Sequence, residues 1–326
     1  MNAERAARFF VIGLVLGVPL AISTALWLKP SQTLTLHARI AEAGGWTPAS
    51  INMQAGEPLR LRLTSDDVVH GFAVGQSDGP AVDVLPGQTT ETRLKFDKPG
   101  TYTFYCTRWC GVNHWRMRGT IEVLGPRSEP ATVASPLYVS LGLDIDRPHP
   151  AAITPERRPS AGRGATLGIT LPARFLTPDA YRVQAPVEVW QFLRGESFAS
   201  SLTDAEVWDL AAFVWQSSIT PESIAQGRAL YAANCAACHG EQGGGDGVMA
   251  EALADQLSTE TGHEAARPAA FDDAASMLGA SPALLQGKII RGGMGTGMPA
   301  WGAILTEAQT WALVDYLWTF QFDLEE

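Results

Sequence analysis

At 326 residues the chain is too long for one ordinary domain, and its 46% hydrophobic content supplies enough apolar side chains for two packed cores. Its four cysteines form two tight local pairs, which argues against a disulfide framework. The net charge of −10 is uneven, because residues 201–326 hold 17 acidic and 4 basic residues. An acidic C-terminal part argues against a nucleic-acid partner and suits the docking of a basic protein.

The N-terminus carries an apolar run. Residues 9–28 contain no charge and are long enough to span a bilayer as a helix. Arg5 and Arg8 precede the run, so the positive-inside rule places the N-terminus in the cytoplasm and everything after Lys29 outside. A cleaved signal peptide is the alternative, but its apolar core is normally shorter and no clear A-x-A site follows. We therefore expect residues 1–29 to be a retained single-pass anchor.

The next segment has the pattern of a β domain. Alternating apolar and polar residues occur at 59–63, 92–96, 101–105 and 120–123. Turn signals rich in Gly and Pro separate them, which predicts a small antiparallel sandwich or barrel over residues 30–126. Residues 127–184 are interpreted as a surface linker, because their first part loses periodicity and collects Pro, Ala, Ser and Arg. From residue 185 onward the pattern is helical.

A group of soft ligands follows one predicted strand. The segment Cys106-Thr-Arg-Trp-Cys110-Gly-Val-Asn-His114-Trp-Arg-Met117 adds two thiols, an imidazole and a thioether to His70, which lies 36 residues before Cys106. A thioether disfavours zinc and favours copper. Two bridging thiolates can hold two copper ions that share one unpaired electron, which favours fast electron transfer. A Cys106–Cys110 disulfide and a zinc site are the alternatives, and neither explains Met117.

Residues 30–126 resemble the CuA domain of subunit II of haem-copper oxidases, which has a cupredoxin fold. The resemblance extends to Asp67-Val-Val-His70-Gly-Phe72 and to Pro99-Gly100-Thr-Tyr-Thr-Phe-Tyr-Cys106. It implies a dinuclear copper centre with the following ligands: Cys106 and Cys110 bridging both ions, His70 and His114 binding one ion each, and Met117 and the backbone carbonyl of Arg108 binding weakly. The single anchor is similar to that of the B-type oxidases.

One position departs from that family pattern. Many of these oxidases carry Glu where Arg108 stands, and the carboxylate helps to bind magnesium at the interface with subunit I. Arg108 keeps its backbone carbonyl for copper. The departure puts only the magnesium site in doubt.

A second motif, Cys235-Ala-Ala-Cys238-His239, has the C-x-x-C-H signature of c-type haem attachment. The thiols of such a motif add to the haem vinyl groups and the histidine binds iron. A thiol redox motif is the alternative for a C-x-x-C pair. Residues 221–322 resemble the class I cytochrome c family, so we expect residues 221–326 to form a cytochrome c domain. The resemblance implies haem c on Cys235 and Cys238 with His239 as an axial ligand.

The second axial ligand of that family is a methionine near the C-terminus, before a last helix. Gly295-Thr-Gly-Met298-Pro-Ala-Trp301 has the form of the methionine loop of the family, so Met298 is the expected ligand. Met294 is the runner-up, because the surrounding glycines would let either sulfur approach. His/Met ligation would raise the haem potential.

An internal similarity precedes the haem motif. Residues 202–215 and 305–318 share six identities in 14 positions, and Leu193-Arg-Gly195 mirrors Ile290-Arg-Gly292. We interpret residues 185–220 as a partial cytochrome c module without haem. Two similar amphipathic helices are the simpler alternative.

Together these features predict a multidomain chain with one N-terminal transmembrane helix, an all-β Greek-key cupredoxin domain and an all-α cytochrome c domain. The resemblance implies the electron-entry subunit of a haem-copper terminal oxidase in the bacterial inner membrane, with both redox domains periplasmic. Its partners would be the lipid bilayer, the catalytic subunit I and a soluble, basic donor such as cytochrome c or a small copper protein.

Other functions are compatible with parts of this pattern. The electron-entry subunit of a haem-copper nitric oxide reductase is the main alternative, because the deciding residues lie in subunit I. A free-standing anchored electron carrier belongs to a different class, and copurification of a polytopic haem protein would exclude it. A nitrous oxide reductase is disfavoured, since its copper cluster needs many histidines and only three others remain here.

Overall fold

Two structural units follow each other along the chain in the computed structural model. It describes Val15, Val18 and residues 32–77, 79–111, 113–126, 135–261, 267–293 and 296–324. Within these residues there is no helix with the length and apolar character needed to cross a membrane. The predicted anchor at 9–28 lies outside the described residues except for Val15 and Val18, which are helical.

The first unit is a sandwich of two sheets. Its strands are β1 Gln32–Ala38, β2 Trp46–Thr47, β3 Ser50–Gln54, β4 Leu59–Ser65, β5 His70–Val74, β6 Val82–Val84, β7 Thr89–Leu94, β8 Gly100–Tyr105 and β9 Arg118–Leu124. One sheet has the order β2-β1-β4-β7 and the other β3-β9-β8-β5-β6. Alternating side chains of both sheets, such as Leu61, Leu63, Phe104 and Ile121, fill the space between them. This confirms the predicted β domain.

The turn signals predicted an antiparallel sandwich, but the observed sandwich is not wholly antiparallel. β1 pairs with β4 and β3 pairs with β9 in parallel. Parallel neighbours need long crossover connections. Local turn residues carry no signal for such connections, so the sequence pattern missed these two pairs.

The second unit is helical. Its α-helices are α1 Leu137–Ser140, α2 Ala161–Thr166, α3 Pro178–Val183, α4 Pro186–Arg194, α5 Asp204–Gln216, α6 Pro221–Asn234, α7 Ala236–His239, α8 Ala250–Thr261, α9 Ala274–Met277, α10 Pro282–Arg291 and α11 Glu307–Leu317. Short 3-10 helices are Ala41–Ala43 and His114–Arg116 in the first unit and Ala173–Phe175, Ser197–Ser201 and Trp318–Phe320 in the second. The helical unit has one continuous apolar core.

The predicted surface linker is wrong for residues 135–184. This stretch holds α1, α2 and α3, and Ile145, Phe175 and Tyr181 are buried in the helical core. The Tyr181 hydroxyl donates a 2.6 Å hydrogen bond to Asp315 on α11. The buried side chains are scattered without helical or strand spacing, so their role could not be recognised from periodicity.

The internal similarity has a counterpart in helix packing. α5 and α11 both begin with a capping box, at Thr203 and Thr306, which are 103 positions apart. α2 crosses α5 so closely at Gly164 that a Cβ there would lie 2.2 Å from the Asp209 carbonyl oxygen. α6 crosses α11 in the same way at Gly227, where a Cβ would lie 2.0 Å from the Ala312 oxygen. Ala312 again lies 103 positions after Asp209.

These matched crossings extend the similarity to α2, which precedes the predicted module at 185–220. A module that includes this crossing begins near residue 160. The edge of the Trp215 ring packs on Trp318, its counterpart at the same offset, with centroids 5.7 Å apart. The origin of the segment as a haem-less cytochrome c module stays a prediction.

The α2–α5 crossing can be tested by Gly164→Ala. The added methyl group would collide with backbone, so we expect a loss of about 1–3 kcal/mol in the stability of the helical unit. Gly195→Ala is the matched control, because Gly195 has φ −74° and its nearest potential contact is 3.5 Å away. Thermal melting followed by circular dichroism should show a lower midpoint for Gly164→Ala alone. Equal midpoints for the two variants would contradict the tight crossing.

Candidate metal and haem sites

One loop of the sandwich gathers the predicted copper ligands. Cys106 directly follows β8 and Met117 directly precedes β9, while His70 is the first residue of β5. β8 is hydrogen-bonded to both β5 and β9, so these three strand ends lie side by side. The Cys106 amide donates to the Met117 carbonyl at 3.0 Å and closes the loop between them. The Trp46 indole N–H donates to the same carbonyl at 3.2 Å.

The donor atoms of all six predicted ligand residues converge. The distances are 4.0 Å from Cys106 Sγ to Cys110 Sγ, 3.8 Å from His70 Nδ1 to Cys106 Sγ, 3.4 Å from His114 Nδ1 to Cys110 Sγ, 3.2 Å from Met117 Sδ to Cys110 Sγ and 3.2 Å from the Arg108 oxygen to Cys106 Sγ. His70, Cys106 and Cys110 alone offer three metal-ligand atoms within 4.8 Å of one another. A sulfur separation of 4.0 Å excludes a disulfide, whose S–S bond is about 2.05 Å.

The chemistry of this donor set fits copper. Structural zinc sites are closed by four thiolate, imidazole or carboxylate ligands and do not use a thioether. Here the Met117 sulfur is buried and points into the same cluster. Soft thiolate and thioether donors together with imidazoles suit copper.

The surroundings of the cluster prepare the sulfurs and imidazoles for a metal. The side-chain hydrogen bond between Cys106 and Cys110 lowers the pKa of the Cys106 thiol, and the same hydrogen bond raises the pKa of Cys110. Asp67 accepts a 2.7 Å hydrogen bond from His70 Nε2, which leaves Nδ1 facing the sulfurs. Such a carboxylate fixes the tautomer and the orientation of a ligating histidine.

The role of Asp67 can be measured. We expect Asp67→Asn to weaken copper binding by about 10–100-fold, because loss of a group that orients a ligand typically costs this much affinity. Competition with a chelator would give the affinity. Asp66→Asn is the matched control, since Asp66 pairs instead with His37 and Arg39. Equal copper affinities for the two variants would contradict the orienting role.

The side chain of Arg108 points away from the cluster to the surface. Its guanidinium makes a bidentate ion pair with Asp83, with Nε–Oδ1 2.8 Å and Nη2–Oδ2 2.9 Å. The guanidinium holds the pKa of Asp83 below its usual range. The cationic side chain of Arg108 is therefore already bound to the neighbouring carboxylate of Asp83.

The haem motif forms a single tight helical turn. α6 ends at Asn234, and Cys235 caps both α6 and α7. The loop after the motif is bonded back onto it, because Gly245 N–H donates to the His239 carbonyl and Gly247 N–H to the Cys238 carbonyl. A Cβ at Gly247 would lie 2.4 Å from the Ala237 oxygen, so only glycine fits this close approach.

The histidine of the motif is oriented like a metal ligand. Its Nδ1 lies 3.0 Å from the Ala269 carbonyl oxygen, and its ring stacks on Phe271 with centroids 4.5 Å apart. With Nδ1 bound to the backbone, Nε2 is the nitrogen available to iron. Burial lowers the pKa of His239 and so favours the neutral imidazole that binds iron.

The two cysteines do not have the electrostatics of a thiol redox pair. Burial raises the pKa of Cys235 to about 12 and also raises the pKa of Cys238. A redox motif needs a thiolate near neutral pH. Partly buried, protonated thiols beside an oriented histidine fit haem attachment better.

Met298 lies in the loop between α10 and α11 and packs against the helical core, as Cys235 does. Its carbonyl accepts a 3.1 Å hydrogen bond from the Gly293 amide. A Cβ at the preceding Gly297 would lie 2.8 Å from Leu253 of α8. The start of α8 is in turn tied to the haem motif, since Met249 N–H donates to the Ala237 carbonyl. The runner-up, Met294, lies outside the described residues.

The structure also brings the two predicted sites together. The loop that contains Met298 and the loop that contains Met117 face each other across a cleft of about 490 Å³. Arg118, the residue after Met117, donates to the Ala300 carbonyl at 3.2 Å. Sequence analysis missed Arg118, because its partner is 182 residues away and an arginine that begins a strand gives no signal of such a contact.

Comparison with known families matches both units. Residues 47–124 match the family model for the periplasmic domain of cytochrome c oxidase subunit II, and residues 224–321 match that for cytochrome c. Copper in the first unit and haem in the second are therefore implied by family. Residues 135–223 fall outside both matches.

Sequence relatives point to the same class of protein. Two proteins from Thermus thermophilus, both named cytochrome c oxidase subunit 2, are 39% identical over 105 residues, which is 30% of this chain and 76% or 61% of theirs. A probable cytochrome c oxidase subunit 2 from Streptomyces coelicolor is 36% identical over 26% of this chain and 31% of its own length. The chain thus spans less than two thirds of some of these relatives.

Similarity to solved structures is partial. The periplasmic domain of subunit II of cytochrome oxidase from Bradyrhizobium japonicum is 22% identical and aligns with 29% of this chain and 86% of its own, with a TM-score of 0.26. Auracyanin B is 19% identical over 30% of this chain and 91% of its own, with a TM-score of 0.25. Neither similarity is strong enough to indicate function.

Proposed function

Because the chain belongs to the cytochrome c oxidase subunit 2 family, we propose that it is the electron-entry subunit of a haem-copper terminal oxidase that reduces oxygen. As a family member it is a subunit of an oxidoreductase. The observation that carries the proposal is the convergence of two thiols, two imidazoles, a thioether and a carbonyl. All but the His70 imidazole come from residues 106–117, which we call the copper loop. An oxygen-reducing centre would belong to the partner subunit I.

The proposed cofactors are a dinuclear copper centre and a covalent haem c. Cys106 and Cys110 would bridge the copper ions, with His70, His114, Met117 and the carbonyl of Arg108 as the remaining ligands. Cys235 and Cys238 would hold the haem, with His239 and Met298 on its iron. Both groups supply reversible one-electron chemistry, while the protein fixes their positions and excludes water from the buried ligands.

The proposed electron path begins at the helical unit. A soluble basic donor docks there, because residues 135–326 carry 23 acidic and 11 basic residues, a net charge of −12. The electron passes to the first unit, the β sandwich, which we call the copper domain. It then passes to subunit I in the membrane. Residues 1–29 would anchor the chain in the bacterial inner membrane with its N-terminus in the cytoplasm and both redox domains in the periplasm.

Purification of the native complex tests this function. Oxygen consumption with reduced donor is the expected activity, together with a copurifying polytopic haem protein. Near-infrared and reduced-minus-oxidised spectra should show copper and haem c in the same chain. Consumption of nitric oxide but not oxygen would favour the alternative reductase, and absence of any polytopic partner would favour a free-standing carrier.

The basic donor can be tested by ionic strength. We expect the rate of haem reduction by a basic donor to fall by on the order of tenfold between about 0.01 and 0.15 M salt, because the Debye length falls from about 30 to about 8 Å. Stopped-flow absorbance of the haem measures this rate. An uncharged small reductant is the control and should show no such dependence. A flat salt profile for the basic donor would contradict electrostatic steering.

A further inference from the structure

The contact between the two units involves both candidate redox sites. We infer that Arg118 is a positioning residue that holds the Met298 loop against the copper loop, so that the electron crosses the chain at this seam. This inference rests on the proposed function. A single electron passes from the helical unit to the copper domain, and no bond forms or breaks.

Arg118 lies between the two sites in the chain and in space. It follows Met117 directly and begins β9, where it pairs with Tyr105 of β8. Its Nη1 donates to the Ala300 carbonyl at 3.2 Å, and its guanidinium carbon lies 5.4 Å from the centre of the Trp301 ring. The Arg118 side chain, which directly follows the proposed ligand Met117, is therefore bonded to Ala300, two positions after Met298.

The bonded segment, 300–304, is held on both of its edges. Its amides at Trp301 and Gly302 donate to the carbonyls of Ile289 and Ile290 at the end of α10. Three of its carbonyls, at Ala300, Gly302 and Ile304, accept hydrogen bonds from the copper domain. The segment is thus a bonded layer between the haem-binding unit and the copper domain.

A second attachment lies at the far end of the segment. Gln76 N–H donates to the Ile304 carbonyl at 2.8 Å, and Gln76 Nε2 donates to the Gly302 carbonyl at 2.7 Å. A Cβ at Gly75 would lie 2.6 Å from Ile304 Cα, so the two backbones are in direct contact there. Alternate carbonyls at Ala300, Gly302 and Ile304 are therefore all bonded to the copper domain.

The Arg118 contact is the part of this seam that acts on Met298. Only Pro299 separates Met298 from Ala300, and the proline ring restricts the backbone between them. Fixing the Ala300 carbonyl therefore limits movement of Met298. The Arg118 side chain is partly withdrawn from water, as expected for a side chain committed to the seam.

Intramolecular electron transfer tests the inference on the full chain with both cofactors in detergent. The haem is photoreduced by a light pulse, and its reoxidation is followed together with the near-infrared absorption of copper. We expect Arg118→Ala to slow transfer by on the order of tenfold to a hundredfold, since misplacing reacting groups by about 1 Å can cost about 10²-fold in rate. Arg118→Lys should recover part of the rate, because lysine retains a donor on a long side chain.

Arg62→Ala is the matched control. It removes an equal charge from the copper domain, but Arg62 lies on β4 of the other sheet and pairs with Glu91, with Nε–Oε1 3.8 Å. We expect its transfer rate to match the wild type. Equal slowing in Arg62→Ala and Arg118→Ala would overturn the positioning role and assign the effect to charge alone, and a wild-type rate in Arg118→Ala would overturn it outright.

Amide hydrogen exchange gives a readout that does not depend on electron transfer. The amides of 300–304 should exchange at least several-fold faster in Arg118→Ala than in wild type or Arg62→Ala. Unchanged exchange would overturn the inference even if transfer slowed. A wild-type chain that holds both cofactors but passes no electron between them would overturn the proposed path, and exchange would still decide whether Arg118 holds the loop.

Discussion

Cys106→Ser is expected to abolish the near-infrared absorption of the proposed dinuclear copper centre. Cys106 Sγ is the atom on which His70, Cys110 and the Arg108 carbonyl converge, and a hydroxyl cannot replace a soft bridging thiolate. Copper analysis should fall to one ion per chain or fewer. The haem spectrum should not change, because the haem motif lies in the other unit.

Thr107→Ala is the matched control for this substitution. Thr107 lies in the same loop, and its amide donates to the Gly71 carbonyl. Its side chain offers no soft donor, so two copper ions per chain and the near-infrared band should remain. Retention of both ions by Cys106→Ser would contradict a thiolate-bridged centre.

Met298→Leu is expected to lower the haem midpoint potential by on the order of 0.1 V or more, within the range of about 0.8 V over which axial ligands set haem potentials. Leucine has nearly the volume of methionine and no sulfur, so the loop should keep its packing while the iron loses a ligand. A redox titration followed at the haem bands measures the potential. The absorption band of the methionine–iron bond should disappear as well.

Met294→Leu separates the two candidate methionines. It makes the same change four residues earlier in the same glycine-rich loop. If Met298 is the ligand, Met294→Leu keeps the wild-type potential. A fall in potential for Met294→Leu and none for Met298→Leu would assign the iron to Met294.

The copper loop could be recognised from sequence because its chemistry is local. Five of the six predicted ligand residues lie within Cys106 to Met117, and the preceding strand fixes where this segment begins. Only His70 is distant, and the resemblance to a known domain implied its role as a ligand to one copper ion. The geometry adds what spacing cannot give, namely the 4.0 Å between sulfurs and the carboxylate of Asp67 behind His70.

The predicted linker failed for a different reason. Residues 135–184 bury single side chains such as Phe175 and Tyr181 from short helices, and polar contacts join them to distant elements. Arg163, for example, bonds the buried carboxylate of Asp209 on α5. A periodicity search detects an amphipathic face repeated over several turns. It does not detect isolated buried residues that are held by partners far along the chain.

The contact between the units escaped prediction because backbone carbonyls form much of it. Ala300, Gly302 and Ile304 accept hydrogen bonds through main-chain oxygens, which every residue type has. Only the donors, Arg118 and Gln76, carry side-chain identity. Neither residue is unusual at the surface of a β domain, so the sequence offered no reason to pair them with the haem-binding loop.

The aromatic packing around α5 bears on how the protein matures. Trp190 of α4 stacks on Trp208, and Trp215 packs on Trp318 and Phe322, which follow α11. All of these contacts join protein side chains. If Cys235 and Cys238 receive the proposed haem, we expect the segment 160–219, packed with Trp318 and Phe322, to fold before attachment and to act as a scaffold for the rest of the helical unit.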